Sequence, residues 1–261
     1  MKFTPVFIFF VGAQLLCFTE PWASAVSLSV AGDDLALEMR EEGMIKSVEV
    51  HQPSAPKVEI LTPHENETVT WGIQVRYAIA VVDAVDGSSK YGEIAATECL
   101  LEIEYLPATA ATDVKAIVGK AASTPESPGL SRMKTSTCFG CHADKIKLAG
   151  PSFAEIAQRY GNQTGSSGLL GKRIIEGSSG VWGTSEMPSH PEITTEAAEQ
   201  IATYILEQGA KKNSWIYPGF EGTFRIIDKP APGAKGVYRL TASYTSKAQR
   251  RGQHSVVLKV D

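Results

Sequence analysis

Five consecutive residues, Cys138-Phe139-Gly140-Cys141-His142, constrain this 261-residue chain more than any other feature. Two thiols separated by two residues can add across the two vinyl groups of one porphyrin. The imidazole that follows can then meet the metal from the same face. C-x-x-C-H is the spacing of covalent haem attachment, and a neutral imidazole nitrogen is a good ligand for haem iron. The motif predicts one covalent haem c with its iron, Cys138 and Cys141 as attachment thiols and His142 as an iron ligand. Two other readings stay open on these five residues. A structural zinc site would want a fourth ligand and usually a second cysteine pair, but Cys99 stands alone, far upstream. A thioredoxin-like redox pair would want a preceding strand in a βαβ context, and the residues before Cys138 are rich in Ser, Thr and Pro.

An iron held by one histidine needs a second axial ligand or keeps an open position. Met39 and Met44 lie far upstream, and Met133, just before Cys138, is expected on the wrong side of any pocket. Met187 lies in Val181-Trp182-Gly183-Thr184-Ser185-Glu186-Met187-Pro188. A methionine between a carboxylate and a proline is poorly placed for a core. A thioether there would complete a His/Met pair and raise the reduction potential. Glu186 would put a carboxylate near the exposed edge. His190 is a rival ligand, whereas His51, His64 and His254 are expected in solvent. A six-coordinate iron suits outer-sphere electron transfer and not oxygen chemistry.

The first 25 residues read as an export signal. Lys2 is the basic end, Val6 to Leu16 is an apolar run too short to span a bilayer comfortably, and Ala23-Ser24-Ala25 is a small-residue cleavage site. Cys17 follows Leu16, a poor context for lipidation. A periplasmic or secreted product is expected, with peripheral membrane contact as an option. The formal net charge of -4 and pI near 5.8 give no global basic field for nucleic acid.

Helical signals surround the motif. A helix is expected from about Ser131. Ser152 and Glu155 form a capping box ahead of Phe153, Ile156, Ala157 and Tyr160 on one face, with Gly161 as the stop. Leu169 to Glu176 is a second helix closed by Gly177. Thr194 caps a third, carrying Ala198, Ile201, Ala202 and Ile205, with Gly209 as its end.

Residues 132–210 resemble the small bacterial class I cytochromes c. The resemblance rests on Cys138-Phe139-Gly140-Cys141-His142, Ala149-Gly150-Pro151, the run Lys172 to Gly183, and Met187-Pro188. It implies that the Pro151 carbonyl orients the His142 ring, and that Trp182 and Arg173 approach the haem propionates. Glu186 departs from the more neutral residue expected before the ligating methionine.

The rest of the chain reads as β structure. Expected strands are Val58 to Pro63, Ile73 to Val82, Cys99 to Leu106, Gly222 to Ile227, Val237 to Tyr244 and Ser255 to Val260. Three strands on each side make only a marginal sheet alone. The stretches Val58 to Gly87 and Gly236 to Tyr244 resemble strands of bacterial Ig-like repeats. The expected fold class is therefore multidomain: an all-α cytochrome c domain plus an all-β Ig-like sandwich, with the cytochrome inserted in the β domain. The expected segments are 1–25 (signal peptide), 26–56 (acidic), 57–106 and 217–261 (sandwich halves), 107–131 (linker) and 132–215 (haem domain). Residues 57–131 carry 5 basic and 11 acidic groups and residues 216–261 carry 8 and 3, so the halves should attract. Cys99 is expected as a buried free thiol.

The combination resembles cytochrome appendages of quinoprotein sugar dehydrogenases. It implies an electron carrier, not itself an enzyme, served by a redox partner protein such as a separate dehydrogenase or a terminal oxidase. The β part could meet a partner or a carbohydrate. Two other classes stay open: a haem sensor or peroxidase-like enzyme with a labile Met187, and a glycan- or protein-binding module that carries a haem.

Overall fold

In the computed structural model, residues 54–107 and 126–261 are described in full, and the first 53 residues only as the backbone pairing of five strands. The expected leader and its cleavage site, Cys17, Met39, Met44, His51 and most of the linker lie outside the fully described residues. The chain divides into two compact units, Met1–Ser54 and Ala55–Asp261. In the first, β1 (Ile8–Val11), β2 (Gln14–Cys17), β3 (Ala25–Ala31), β4 (Asp34–Glu41) and β5 (Met44–Val50) pair in sequence order as an antiparallel meander.

The second unit holds two further sheets. One has the order β11 (Ser214–Pro218), β10 (Leu100–Pro107), β13 (Gly236–Thr245), β14 (Arg251–Val260), β7 (Thr68–Val69). The other has β12 (Glu221–Arg225), β8 (Gln74–Asp83), β6 (Lys57–Thr62), with β9 (Gly87–Ser88) paired to β8. Strands from before and after the helical segment are direct neighbours. β10 runs antiparallel to both β11 and β13, and β12 runs antiparallel to β8.

Alternation explains the packing. Successive residues of a strand face opposite sides, and β8 reads exposed-buried along its first half. Its inward Val75, Tyr77, Ile79 and Val81 meet Leu101, Ile103 and Tyr105 of β10, Tyr238 and Leu240 of β13, and Val256 and Leu258 of β14 in one core. The acidic and basic halves also touch through ion pairs, Arg76–Glu221, Glu104–Arg239 and Asp86–Lys247. Cys99 is a fully buried free thiol just before β10, and burial pushes its pKa up to about 12.

The helical segment contains α1 (Pro128–Lys134), α2 (Cys138–Cys141), α3 (Phe153–Tyr160), α4 (Ser166–Glu176) and α5 (Thr195–Ala210). The capping box at Ser152 and Glu155 and the Thr194 cap both form. Its core joins Leu130, Met133, Phe153, Ile174, Ala198 and Ile201 to Leu100 and Ile216, two strand residues. The period of two again accounts for this: Leu101 and Ile103 face the inter-sheet core, so Leu100 faces the helices.

Several expectations need correction. Ser214 and Trp215, assigned to the haem segment, are strand residues of β11, whose five residues are too few to stand out in the sequence. Pro128 to Ser131, assigned to the linker, are helical, and Pro128 sits in the first turn, where its missing N–H costs nothing. Gly209 lies inside α5 and does not end it. A Cβ there would lie 2.1 Å from the Phe153 carbonyl oxygen, so this glycine permits a close crossing of α5 on α3. His254 is only partly exposed, and its Nδ1 accepts from the Ile60 amide at 3.1 Å.

Candidate functional site

The motif folds as one helical turn. The His142 amide donates to the Cys138 carbonyl at 3.0 Å, and His142 itself leaves the helix in extended backbone. Both cysteines therefore sit on one short turn, Cys138 half-buried and Cys141 exposed. Burial pushes the Cys138 thiol pKa up, against a contact with the Ser136 hydroxyl at 3.0 Å.

The His142 ring is oriented by its surroundings. Nδ1 lies 2.7 Å from the Pro151 carbonyl oxygen. A carbonyl only accepts, so Nδ1 carries the proton and Nε2 keeps its lone pair for a metal. The loop that supplies this carbonyl is anchored by the Gly150 amide, which donates to the Cys141 carbonyl at 2.9 Å. A Cβ on Gly150 would lie 2.4 Å from the imidazole, so the close approach needs glycine.

These groups face a cleft with about 1150 Å³ of empty space, part of it open to solvent. Its walls include Met133, Phe153, Ile156, Ile174 and Ile201, together with Ser178, Ser185 and Glu186. Cys138, Cys141, His142, Pro151, Arg173, Trp182 and Met187 all line it. Met133 lines it too, fully buried, contrary to its expected place. Helix α1 crosses α5 closely, a Cβ on Gly129 falling 2.2 Å from the Gln200 carbonyl oxygen, and one turn later Met133 reaches the cleft wall.

Met187 is fixed through its backbone. Its amide donates to the Ser178 carbonyl at 2.8 Å, and the Ser178 amide donates back at 3.0 Å. Its side chain packs against the helical core. His190 lines the same cleft, and its amide donates to the Ile174 and Ile175 carbonyls, each at 3.1 Å.

Arg173 and Trp182 belong to a larger cluster. Arg173 donates to the Tyr160 hydroxyl at 2.6 Å. Arg159 donates to the Val181 carbonyl at 2.9 Å, and its guanidinium lies 4.8 Å from the centre of the Trp182 ring. Tyr160 and Trp182 meet edge to face at 6.3 Å. Sequence reasoning missed Arg159 and the Tyr160 hydroxyl. The signal was faint: a cation in the last turn of a helix ordinarily reads as a solvated partner of the helix dipole.

An apolar slot with two thiols and an imidazole beside one another, and a thioether in the same lining, suits an iron porphyrin. Among the described residues no group of three or more His, Cys, Asp or Glu is placed to hold a bare metal ion. The zinc reading of the cysteine pair thus finds no ligand set there.

Residues 129–209 match the family model described as Cytochrome c. Cytochrome c-552 of Hydrogenobacter thermophilus is 38% identical over 92 residues, 35% of this chain and 90% of that protein. This chain belongs to the cytochrome c family. Cytochrome c-551 of Pseudomonas aeruginosa is 35% identical over 75 residues, 29% of this chain and 71% of that protein. The crystal structure of Nitrosomonas europaea cytochrome c552 is 33% identical, covering 29% of this chain and 93% of that one, with a TM-score of 0.28. A cytochrome c binds one covalent haem c with its iron and carries electrons. The β strands of the chain lie outside residues 129–209.

Proposed function

We propose that this cytochrome c is an exported electron carrier whose single haem is thioether-linked to Cys138 and Cys141 and ligated by His142 and Met187. The observation that carries the reading is the 2.7 Å hydrogen bond from His142 Nδ1 to the Pro151 carbonyl, which leaves Nε2 free beside a cleft that Met187 also lines. When bound, the haem supplies a reversible one-electron couple at iron. The residues of the chain hold it, keep water away and leave no vacant ligand position. Pro151 orients the imidazole, and Trp182 and Arg173 would hold the propionates through an indole N–H and a guanidinium. The apolar walls lower the local dielectric, and the His/Met pair favours a raised reduction potential.

In this reading, residues 57–106 and 217–261 are an Ig-like sandwich into which the cytochrome is inserted. The pairing of β10 with β11 and β13 supports it. The β module positions the haem toward a redox partner, a separate dehydrogenase or a terminal oxidase. The apolar run near the N-terminus and its small-residue boundary support export to the periplasm.

The test is the absorption spectrum of purified holoprotein beside Met187→Ala. The wild type is expected to show reduced haem c bands and, when oxidised, a near-infrared thioether-to-iron band that the variant loses. A colourless wild-type protein, or a variant with an unchanged near-infrared band, overturns the reading.

A further inference from the structure

We propose that His190 is a reserve iron ligand, held at the haem cleft beside Met187 and taking the iron when the thioether leaves. The inference rests on the proposed ligation by His142 and Met187.

Three observations carry it. First, the His190 side chain is only 14% exposed and lines the same cleft as Met187. Second, its ring repeats the arrangement found at His142. Nδ1 lies 3.0 Å from Glu192 Oε1. With that carboxylate accepting, Nδ1 is the donor, and in the neutral ring Nε2 holds the lone pair. An acceptor on the far nitrogen orients an imidazole and makes it a better ligand. Two histidines of this cleft thus have the form of metal-binding imidazoles, and only one is needed for a His/Met site.

Third, the backbone ahead of Met187 carries three glycines at positive φ. Gly177, Gly180 and Gly183 have φ of +82°, +73° and +109°, and Gly180 and Gly183 have open space where a Cβ would be. Glycines take up new backbone angles there without steric cost. Met187 and His190 are separated only by Pro188 and Ser189. His190 is anchored to the end of α4 independently of the Ser178–Met187 bridge.

The chemistry gives the exchange a direction. A thioether is a soft ligand and an imidazole a harder one, so oxidation to iron(III) favours the nitrogen. One sulfur–iron bond breaks and one nitrogen–iron bond forms. The consequence is a site that stays closed to small molecules after Met187 departs, which keeps the protein a carrier rather than a peroxidase.

The test uses holoprotein with Met187→Ala, His190→Ala and the double substitution. Oxidised Met187→Ala is expected to be low-spin with two nitrogen ligands by electron paramagnetic resonance, and the double variant high-spin. Reduced Met187→Ala should bind carbon monoxide at least about tenfold more weakly than the double variant. His190→Ala alone should keep the near-infrared thioether band, which shows that the residue is not needed for folding. A high-spin Met187→Ala, or a double variant that remains low-spin, overturns the proposal. Absence of the thioether band from the wild type instead overturns the assignment of Met187, and so separates the two failures.

Discussion

The carboxylate of Asp144, two residues past His142, accepts the backbone amide of Ile216 in β11 at 3.0 Å. The same oxygen accepts from the Gln208 side chain of α5 at 3.0 Å. The loop that follows the haem motif, the last helix and the first returning strand therefore meet at one buried side chain. Asp144→Ala would take this acceptor from two buried donors, leaving Gln208 only its 3.5 Å contact with the Ser214 hydroxyl, at a cost of about 2–4 kcal/mol. Urea unfolding followed by the haem band and by far-ultraviolet dichroism should show both transitions moving to lower urea. If neither moves, Asp144 is not a structural tie.

Gly150→Ala tests the seat of the His142 ring. The added methyl meets ring atoms at 2.4–2.9 Å within a loop pinned to the Cys141 carbonyl, so the imidazole must shift. Overpacking of this kind costs about 1–3 kcal/mol. The reduction potential and the yield of haem-loaded protein should both fall. Unchanged values in the variant would show that the ring has room to spare.

Acid sensitivity has an identifiable source at the start of α3. The Ser152 amide and hydroxyl donate to the Glu155 carboxylate at 2.8 and 2.9 Å and hold its pKa below the ordinary 4.5. A depressed folded-state pKa adds stability above the unfolded value, and this is lost as pH falls through the folded one. Glu155→Gln should therefore flatten the fall in stability below pH 4.5. Ser152→Ala should cost about 1 kcal/mol at neutral pH. Chemical denaturation at several pH values reads both effects.

Loss of the haem should act on one core more than on the other. Cys138→Ala/Cys141→Ala removes both attachment thiols, and the helices then surround an empty apolar slot. The core between the two sheets draws on residues 58–105 and 224–260 and includes no residue of the helices. The helical dichroism is expected to fall while limited proteolysis still yields protected β fragments. Simultaneous loss of both signals would contradict this.

Much of the site was legible because its chemistry is local. The motif, the Ser152–Glu155 box and the Met187-Pro188 turn each act within a few residues of sequence. What stayed hidden depends on contacts made over long separations. Met133 reaches the cleft only because Gly129 lets α1 and α5 cross closely, and no pattern near Met133 records that crossing. Gly209 carries the usual sign of a helix end, yet its role is a close approach to Phe153. β11 is five residues long, and its neighbour in the sheet is β10, more than a hundred residues earlier in the chain. Arg159 looked like a solvated cation until folding laid it over Trp182.

Glu104 stands opposite Ser214 in the β10–β11 ladder. The strand before the helical segment and the strand after it are thus direct partners, which holds their backbones about 5 Å apart. A tight turn spliced in place of that segment would convert β10 and β11 into an ordinary hairpin.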